Sequence, residues 1–86
     1  MLRKIEGTYV ESPLDDELVL LNTATGQFNA LKTTGLAIWT LIDGTRDLDA
    51  IKDEVAQRFD VDRDQCGHDV EAFVDSLQKA GFVALA

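Results

Sequence analysis

The sequence predicts a small α+β domain in which three strands precede three helices. Two arms flank Thr23–Gly26 and predict a hairpin: Leu18–Leu21 is apolar throughout, and Gln27–Leu31 alternates polar and apolar residues. Further along the chain, apolar residues recur at spacings of three and four, which is typical of amphipathic helices. Strands followed by helices indicate the α+β class. We expect residues 1–86 to form a single domain.

The strands are predicted to form a meander that leaves its third strand at an edge. The first strand is expected at Thr8–Glu11 and to end at Ser12-Pro13, because proline cannot donate to a strand ladder. The apolar arm Leu18–Leu21 is expected to be covered on both faces. Short turns then place Gln27–Leu31 at the edge. This arm contains no proline and no charged residue, so it lacks the features that usually keep foreign strands away.

Three helices are predicted after the strands. The first is expected to have Thr33 or Thr34 as its cap, to be buried around most of its circumference and to end at Asp43-Gly44. Thr45 or Asp47 is expected to cap the second helix. The third carries an apolar stripe and an acidic polar face, and it is expected to stop at Gly81. The predicted stripes are Leu48, Ile51, Val55 and Phe59 in the second helix, and Cys66, Val70, Phe73, Val74 and Leu77 in the third.

Composition and charge disfavour several classes of function. The formal net charge is −8, which argues against nucleic-acid binding because phosphate contacts need clustered Lys and Arg side chains. No apolar segment approaches the length of a membrane span or of a signal-peptide core, so we expect no membrane association. The single cysteine, Cys66, cannot form an internal disulfide, which favours a cytoplasmic location.

Candidate metal and catalytic sites are weak. The segment Asp60–Glu71 has the acidic spacing of a calcium-binding EF-hand loop, but Gln65 replaces the required glycine and the third helix is expected to begin near Arg63. Cys66 and His68 lie two apart, so a helix would point them in different directions, and the sequence has no further Cys or His for zinc. We therefore expect no metal, no cofactor and no enzymatic activity.

Two classes of function remain. The first is a peptide-binding adaptor that accepts an extended peptide as an additional strand along the uncharged edge, with a groove formed by the third helix. Asp69, at the rim of that helix, is expected to attract a basic residue of the peptide. The second is a winged-helix nucleic-acid-binding or regulatory protein, which would need a basic recognition helix. Salt-dependent DNA binding would separate the two.

The order and spacing of several segments resemble the PqqD-like family, whose members are recognition elements for ribosomally synthesised and post-translationally modified peptides. The resemblance extends from about Leu18 to Val83 and depends on three segments. They are the Thr25–Phe28 turn, the Ile42–Thr45 joint between helices, and the closing Leu77 to Val83. One segment differs from the family members that serve pyrroloquinoline quinone synthesis. Those members carry a Tyr-Pro-Glu-type segment where this chain has Leu20-Leu21-Asn22-Thr23. The chain therefore looks closer to the stand-alone elements found beside lasso-peptide leader peptidases.

The resemblance implies a winged-helix-like fold and a non-enzymatic role. The chain would bind the leader segment of a precursor peptide as an extra antiparallel strand and present it to an enzyme such as a radical SAM protein or a leader peptidase. The peptide-binding positions that the resemblance and the edge prediction together imply are Gln27, Phe28, Asn29, Ala30 and Leu31 on the strand, and Asp69, Val70, Phe73, Val74 and Leu77 on the helix.

Overall fold

The computed structural model describes residues 2–85, and it contains the predicted three-stranded sheet followed by three helices. Two further short strands lie at the ends of the chain and were not predicted. In chain order the elements are β1 (Leu2–Lys4), β2 (Tyr9–Leu14), β3 (Glu17–Asn22), β4 (Phe28–Lys32), α1 (Thr33–Leu41), α2 (Leu48–Phe59), α3 (Arg63–Lys79) and β5 (Val83–Leu85).

The three-stranded sheet is an antiparallel meander in the order β2-β3-β4, as predicted. The prediction that Ser12-Pro13 ends the first strand was wrong, because β2 continues to Leu14 and Pro13 pairs with Leu18. Asp15 and Asp16 alone connect β2 to β3, so Leu14 and Glu17 form the hydrogen-bonded pair that closes the hairpin. Hydrogen-bonded pairs alternate along the ladder, which places Pro13 at a non-hydrogen-bonded position where its missing N–H costs no ladder bond.

The prediction that both faces of the apolar arm are covered was also wrong. Leu20 faces the core and is fully buried, whereas its neighbour Leu21 is 40% exposed on the opposite face. Cross-strand pairing places Val10, Leu21 and Phe28 in one row on that outer face, and all three are exposed. β3 therefore has one buried face and one solvent-facing face, although both faces are apolar in sequence.

The ends of the described chain form a second, two-stranded sheet. β1 pairs with β5 in antiparallel register, with Arg3 opposite Ala84 and Lys4 opposite Val83. Leu2 and Val83 are buried in the same core as the helices. Phe82 connects this sheet to the end of α3. It immediately precedes β5, its side chain is completely buried, and its N–H donates to the Leu77 carbonyl in the last turn of α3 at 3.0 Å.

The helices follow the prediction except at the two ends of α1. The predicted end at Asp43-Gly44 was wrong, because the backbone leaves the helical conformation at Ile42, which is the C-cap residue after Leu41. α1 begins directly after β4, with Lys32 as its N-cap residue and no capping side chain, so the Thr33 or Thr34 cap was wrong.

Asp47 caps α2 as predicted, accepting a hydrogen bond of 2.8 Å from the Ala50 N–H. α3 begins at Arg63, also as predicted. Between residues 2 and 85, no helix has both the length and the apolar character that crossing a membrane requires.

An aromatic cluster joins the sheet to the helices. Trp39 of α1 is buried, and the rings of Tyr9 and Phe82 contact it edge to face at centroid distances of 5.2 and 6.5 Å. The indole N–H of Trp39 donates to Glu11 Oε1 at 2.7 Å, which satisfies the only polar atom of the buried side chain. The inner face of the sheet is thereby packed on α1, and β4 is held at the border between the sheet and the helices.

Candidate functional site

β4 is an open sheet edge, as the sequence predicted. Within residues 2–85 its only strand partner is β3. The Asn22 N–H donates to the Gln27 carbonyl at 2.8 Å, and from there hydrogen-bonded pairs alternate with non-hydrogen-bonded pairs along the β3–β4 ladder. The alternation directs the backbone N–H groups of Phe28, Ala30 and Lys32 and the C=O groups of Phe28 and Ala30 away from β3, whereas the Lys32 C=O belongs to the first turn of α1. These groups form a row of unpaired donors and acceptors that an additional strand can use.

The opposite edge of the sheet differs from β4. β2 carries Pro13 at a position where the backbone N–H would point outwards, so this edge lacks one donor that β4 has. Glu11, another outward-pointing position of β2, has its side chain bonded to Trp39. β4 also carries a charged residue, Lys32, but only at its last position and paired with Glu17 at 3.1 Å, so the edge without proline, β4, is the more accessible of the two.

α3 runs antiparallel to β4 and forms the second wall of a groove. The first residues of β4 share an open depression of ≈ 680 Å³ with Ser76, Lys79 and Ala80 near the C-terminus of α3. Further along, Gly35 follows β4 and lies against the ring of Phe73. Beyond the end of β4, Asp69 near the N-terminus of α3 and Thr34 of α1 line a separate cavity of ≈ 150 Å³, whose other walls come from α2, the α2–α3 connection and α3. We call the space between β4 and these residues of α3 the β4–α3 groove.

Asn22 fixes the width of the β4–α3 groove at the Phe28 end. Its side chain is 5% exposed, and its Nδ2 donates to the Ala80 carbonyl at the end of α3 at 2.8 Å. Its Oδ1 accepts from the backbone N–H groups of Ala24 and Thr25 at 2.8 and 3.1 Å. One buried amide therefore joins the β3–β4 turn to α3, so the start of β4 cannot move away from the helix without breaking these bonds.

The predicted site residues fall into two groups according to burial. Gln27, Phe28, Asn29, Ala30 and Asp69 are exposed, and Phe73 is half-buried at the groove. The remaining four are in the hydrophobic core, where they support the walls of the groove and present almost no surface. These are Leu31 at 3% exposure, Val70 at 0%, Val74 at 3% and Leu77 at 1%.

The sequence did not indicate Ser76, Lys79 and Ala80 as groove residues. Together with Asp69 and Phe73 they follow a stripe of spacings three and four that lies beside the apolar stripe of α3. That second stripe was the available signal. Apart from Phe73 it carries small and polar residues, so hydrophobic periodicity alone does not single it out.

The two ends of the β4–α3 groove carry opposite charges. Asp69 is exposed at the Thr34 end, and no ion pair to it is formed among the described residues. Lys79 is at the Phe28 end, where its Nζ lies 2.9 Å from Asp75 in an exposed pair one helical turn away. Such a pair contributes only about 0.3–0.5 kcal/mol, so a ligand carboxylate can compete for the ammonium group.

The acidic residues between Asp60 and Glu71, which have the spacing of a calcium-binding loop, have structural roles instead. Asp62 is the N-cap of α3, where its side chain accepts from the Asp64 N–H, so the segment Asp60–Glu71 is helical over most of its length and cannot wrap a calcium ion. Among residues 2–85, no three His, Cys, Asp or Glu side chains are placed to hold a metal. On the outer face of α3, the hydrogen bond from the buried Lys52 lowers the pKa of the Glu71 carboxyl.

Comparison with known proteins identifies the family. The chain is 29% identical to TbiB1 in its complex with the TbiA(beta) leader peptide, with a TM-score of 0.83 over 96% of each chain. A lasso peptide synthetase B1 complexed with its leader peptide has the same fold, with a TM-score of 0.83, 20% identity and 98% of each chain covered. No curated protein matches the sequence. Because the family model described as coenzyme PQQ synthesis protein D (PqqD) matches residues 17–83, the chain belongs to the PqqD family.

Proposed function

We propose that this chain is a recognition element that binds the leader segment of a ribosomally synthesised precursor peptide. The observation that carries the proposal is the open β4 edge with the β4–α3 groove beside it. In binding by strand addition, backbone hydrogen bonds supply affinity, and the side chains that point into the groove supply specificity. Both elements are present here, and the similar TbiB1 structure holds a leader peptide.

The leader segment is proposed to run antiparallel to β4. Its backbone would pair with the outward groups of Phe28, Ala30 and Lys32, because these groups are unpaired and evenly spaced along the edge. Successive residues of a strand point to opposite faces, so every second leader side chain would enter the β4–α3 groove. Asn29, Phe73 and Asp69 are then the side chains of the predicted set that the leader contacts directly.

The role of the chain is proposed to be non-catalytic. The enzyme that modifies or cleaves the precursor would be a separate protein, such as a radical SAM enzyme or a leader peptidase. Holding the leader raises the local concentration of the attached core segment near that enzyme without any chemistry in this chain. Because the precursor is made on the ribosome, we expect the complex to form in the cytoplasm.

A nucleic-acid-binding role is not favoured. The polar face of α3 carries Asp64, Asp69, Glu71 and Asp75, and a net charge of −8 repels the phosphate backbone. α2, the other candidate recognition helix, mixes Lys52 and Arg58 with three acidic residues, and Lys52 is buried against Glu71.

A titration compares the two functions directly. Leader peptides drawn from short open reading frames beside the chain's gene are labelled with a fluorophore and titrated with the protein, with a labelled DNA duplex measured in parallel. We expect saturable one-to-one binding of one leader and no binding of its core segment alone. DNA binding that weakens steeply with salt, without binding of any leader, would contradict the proposal.

A further inference from the structure

Building on the proposed strand addition to β4, we propose that the β4–α3 groove selects leaders by charge order. The preferred leader segment carries a basic residue four positions before an acidic residue, with an apolar residue midway between them. The two charged positions of the leader determine both the direction and the register in which it pairs with β4. Asp69 and Lys79 are the specificity-determining residues for the two positions.

The direction follows from the placement of α3. Asp69 lies beside Thr34, just beyond the Lys32 end of β4, and Lys79 lies beside Phe28 and Asn29 at the other end. A leader antiparallel to β4 therefore passes Asp69 first and Lys79 later in its own sequence. A base that contacts Asp69 must precede an acid that contacts Lys79. A parallel strand would reverse the order, and parallel pairing is also slightly less stable per residue.

The spacing follows from the geometry of the helix and the strand. Asp69 and Lys79 are ten residues apart on α3, which corresponds to about 15 Å along the helix axis. An extended peptide covers about 15 Å in four to five residues. Side chains on one face of a strand are separated by even numbers of residues, so four is the spacing that directs both charged side chains into the groove.

The middle position is defined by Phe73. This half-buried ring lies between Asp69 and Lys79 on the groove side of α3, next to Gly35. A leader residue two positions after the base would face this ring, and an apolar side chain there removes apolar surface from water. β4 also carries a cation, Lys32, but this residue does not compete with Lys79 for the leader's acidic residue. Its Nζ is 3.1 Å from Glu17, and its side chain is on the outer face of the sheet, away from the groove.

Two capped peptides of identical composition test the proposal. Both are seven-residue threonine strands with lysine, leucine and glutamate at positions two, four and six, and the second peptide exchanges the lysine and the glutamate. Each is titrated into the ¹⁵N-labelled chain, and chemical shifts of the β4 amides report where it binds. We expect both peptides to shift the amides of Phe28–Lys32 and the base-first peptide to bind about fivefold more tightly at low salt. The preference should shrink at 0.5 M salt, where the screening length is about 4 Å.

Charge-exchange variants provide the controls. The double variant Asp69→Lys with Lys79→Glu keeps the net charge and should invert the preference. The double variant Glu54→Lys with Arg58→Glu exchanges two charges on α2 away from the groove and should leave the preference unchanged. Equal affinity of the two peptides, with shifts still at β4, would overturn the charge selection and leave strand addition standing. Absence of shifts at β4 with both peptides would overturn the proposed docking site itself.

Discussion

Replacing Ala30 with proline tests the edge without disturbing the sheet. The Ala30 N–H points away from β3, so proline removes a donor that a leader would use and no bond of the β3–β4 ladder. Pro13 shows that the same sheet accepts proline at an outward-pointing position of its other edge strand. Ala30 is exposed, so the added ring meets solvent in the free chain.

The expected loss follows from the missing donor. A leader carbonyl left without its partner costs about 1–3 kcal/mol, which corresponds to about a 5- to 150-fold weaker affinity. The ring also prevents approach to the interstrand distance of about 4.8 Å, which places the effect toward the upper end of this range. Ala30→Val is the matched control, because it adds side-chain volume and keeps the N–H.

Fluorescence anisotropy with a labelled leader measures both variants, and circular dichroism checks that each is folded. We expect Ala30→Pro to lose binding and Ala30→Val to stay within about threefold of the parent chain. Unchanged affinity of a folded Ala30→Pro variant would refute strand addition at β4. Equal losses in both variants would instead indicate that side-chain volume at position 30 is responsible.

Three further substitutions address the groove and the helices. Phe73→Ala should weaken leader binding. Because the ring is only half-buried, the loss of unfolding free energy should be smaller than the about 3–5 kcal/mol lost when a fully buried phenylalanine is replaced by alanine. A folded variant with full affinity would exclude this ring from the site. Gly35→Ala would place a Cβ 3.2 Å from the Phe73 ring, pushing it into the groove, so calorimetry should show weaker binding with stability changed by under about 1 kcal/mol. The hydrogen bond from Lys52 lowers the pKa of Glu71, so the ionised Glu71 stabilises the fold above its ordinary pKa of 4.5, and this stabilisation is lost as the pH falls through the lowered pKa. Glu71→Gln should therefore flatten this part of the curve of unfolding free energy against pH. An unchanged curve would contradict the pairing.

The sequence predicted the elements with strong local patterns and missed those that depend on distant partners. α3 and the meander were predicted because their periodicities extend over many residues. β1 and β5 have three residues each and pair across almost the whole chain, so neither has a local signal. The Thr33 cap failed because β4 passes directly into α1, which leaves Lys32 in extended conformation as the cap.

The sequence predicted the edge strand of the candidate site but not the residues of α3 that line the groove beside it. The alternating arm Gln27–Leu31 predicted an edge strand, and the structure has this strand at the sheet edge, shifted by one residue so that it includes the charged Lys32. Which side of α3 faces the groove depends on how the helix is rotated against the sheet, and the Asn22 amide contributes to this through its bond to the Ala80 carbonyl at the helix end. Asn22 stands in an apolar segment, where sequence patterns do not reveal a buried polar anchor.

The most direct test of strand addition is amide hydrogen exchange in the free and the leader-bound chain. The outward amides of Phe28, Ala30 and Lys32 have no strand partner in the free chain, whereas those of Asn29 and Leu31 are bonded to β3. We predict that leader binding slows exchange at the first three and changes little at Tyr9 and Glu11 on the β2 edge. Unchanged exchange at Phe28, Ala30 and Lys32 under saturating leader would contradict the account.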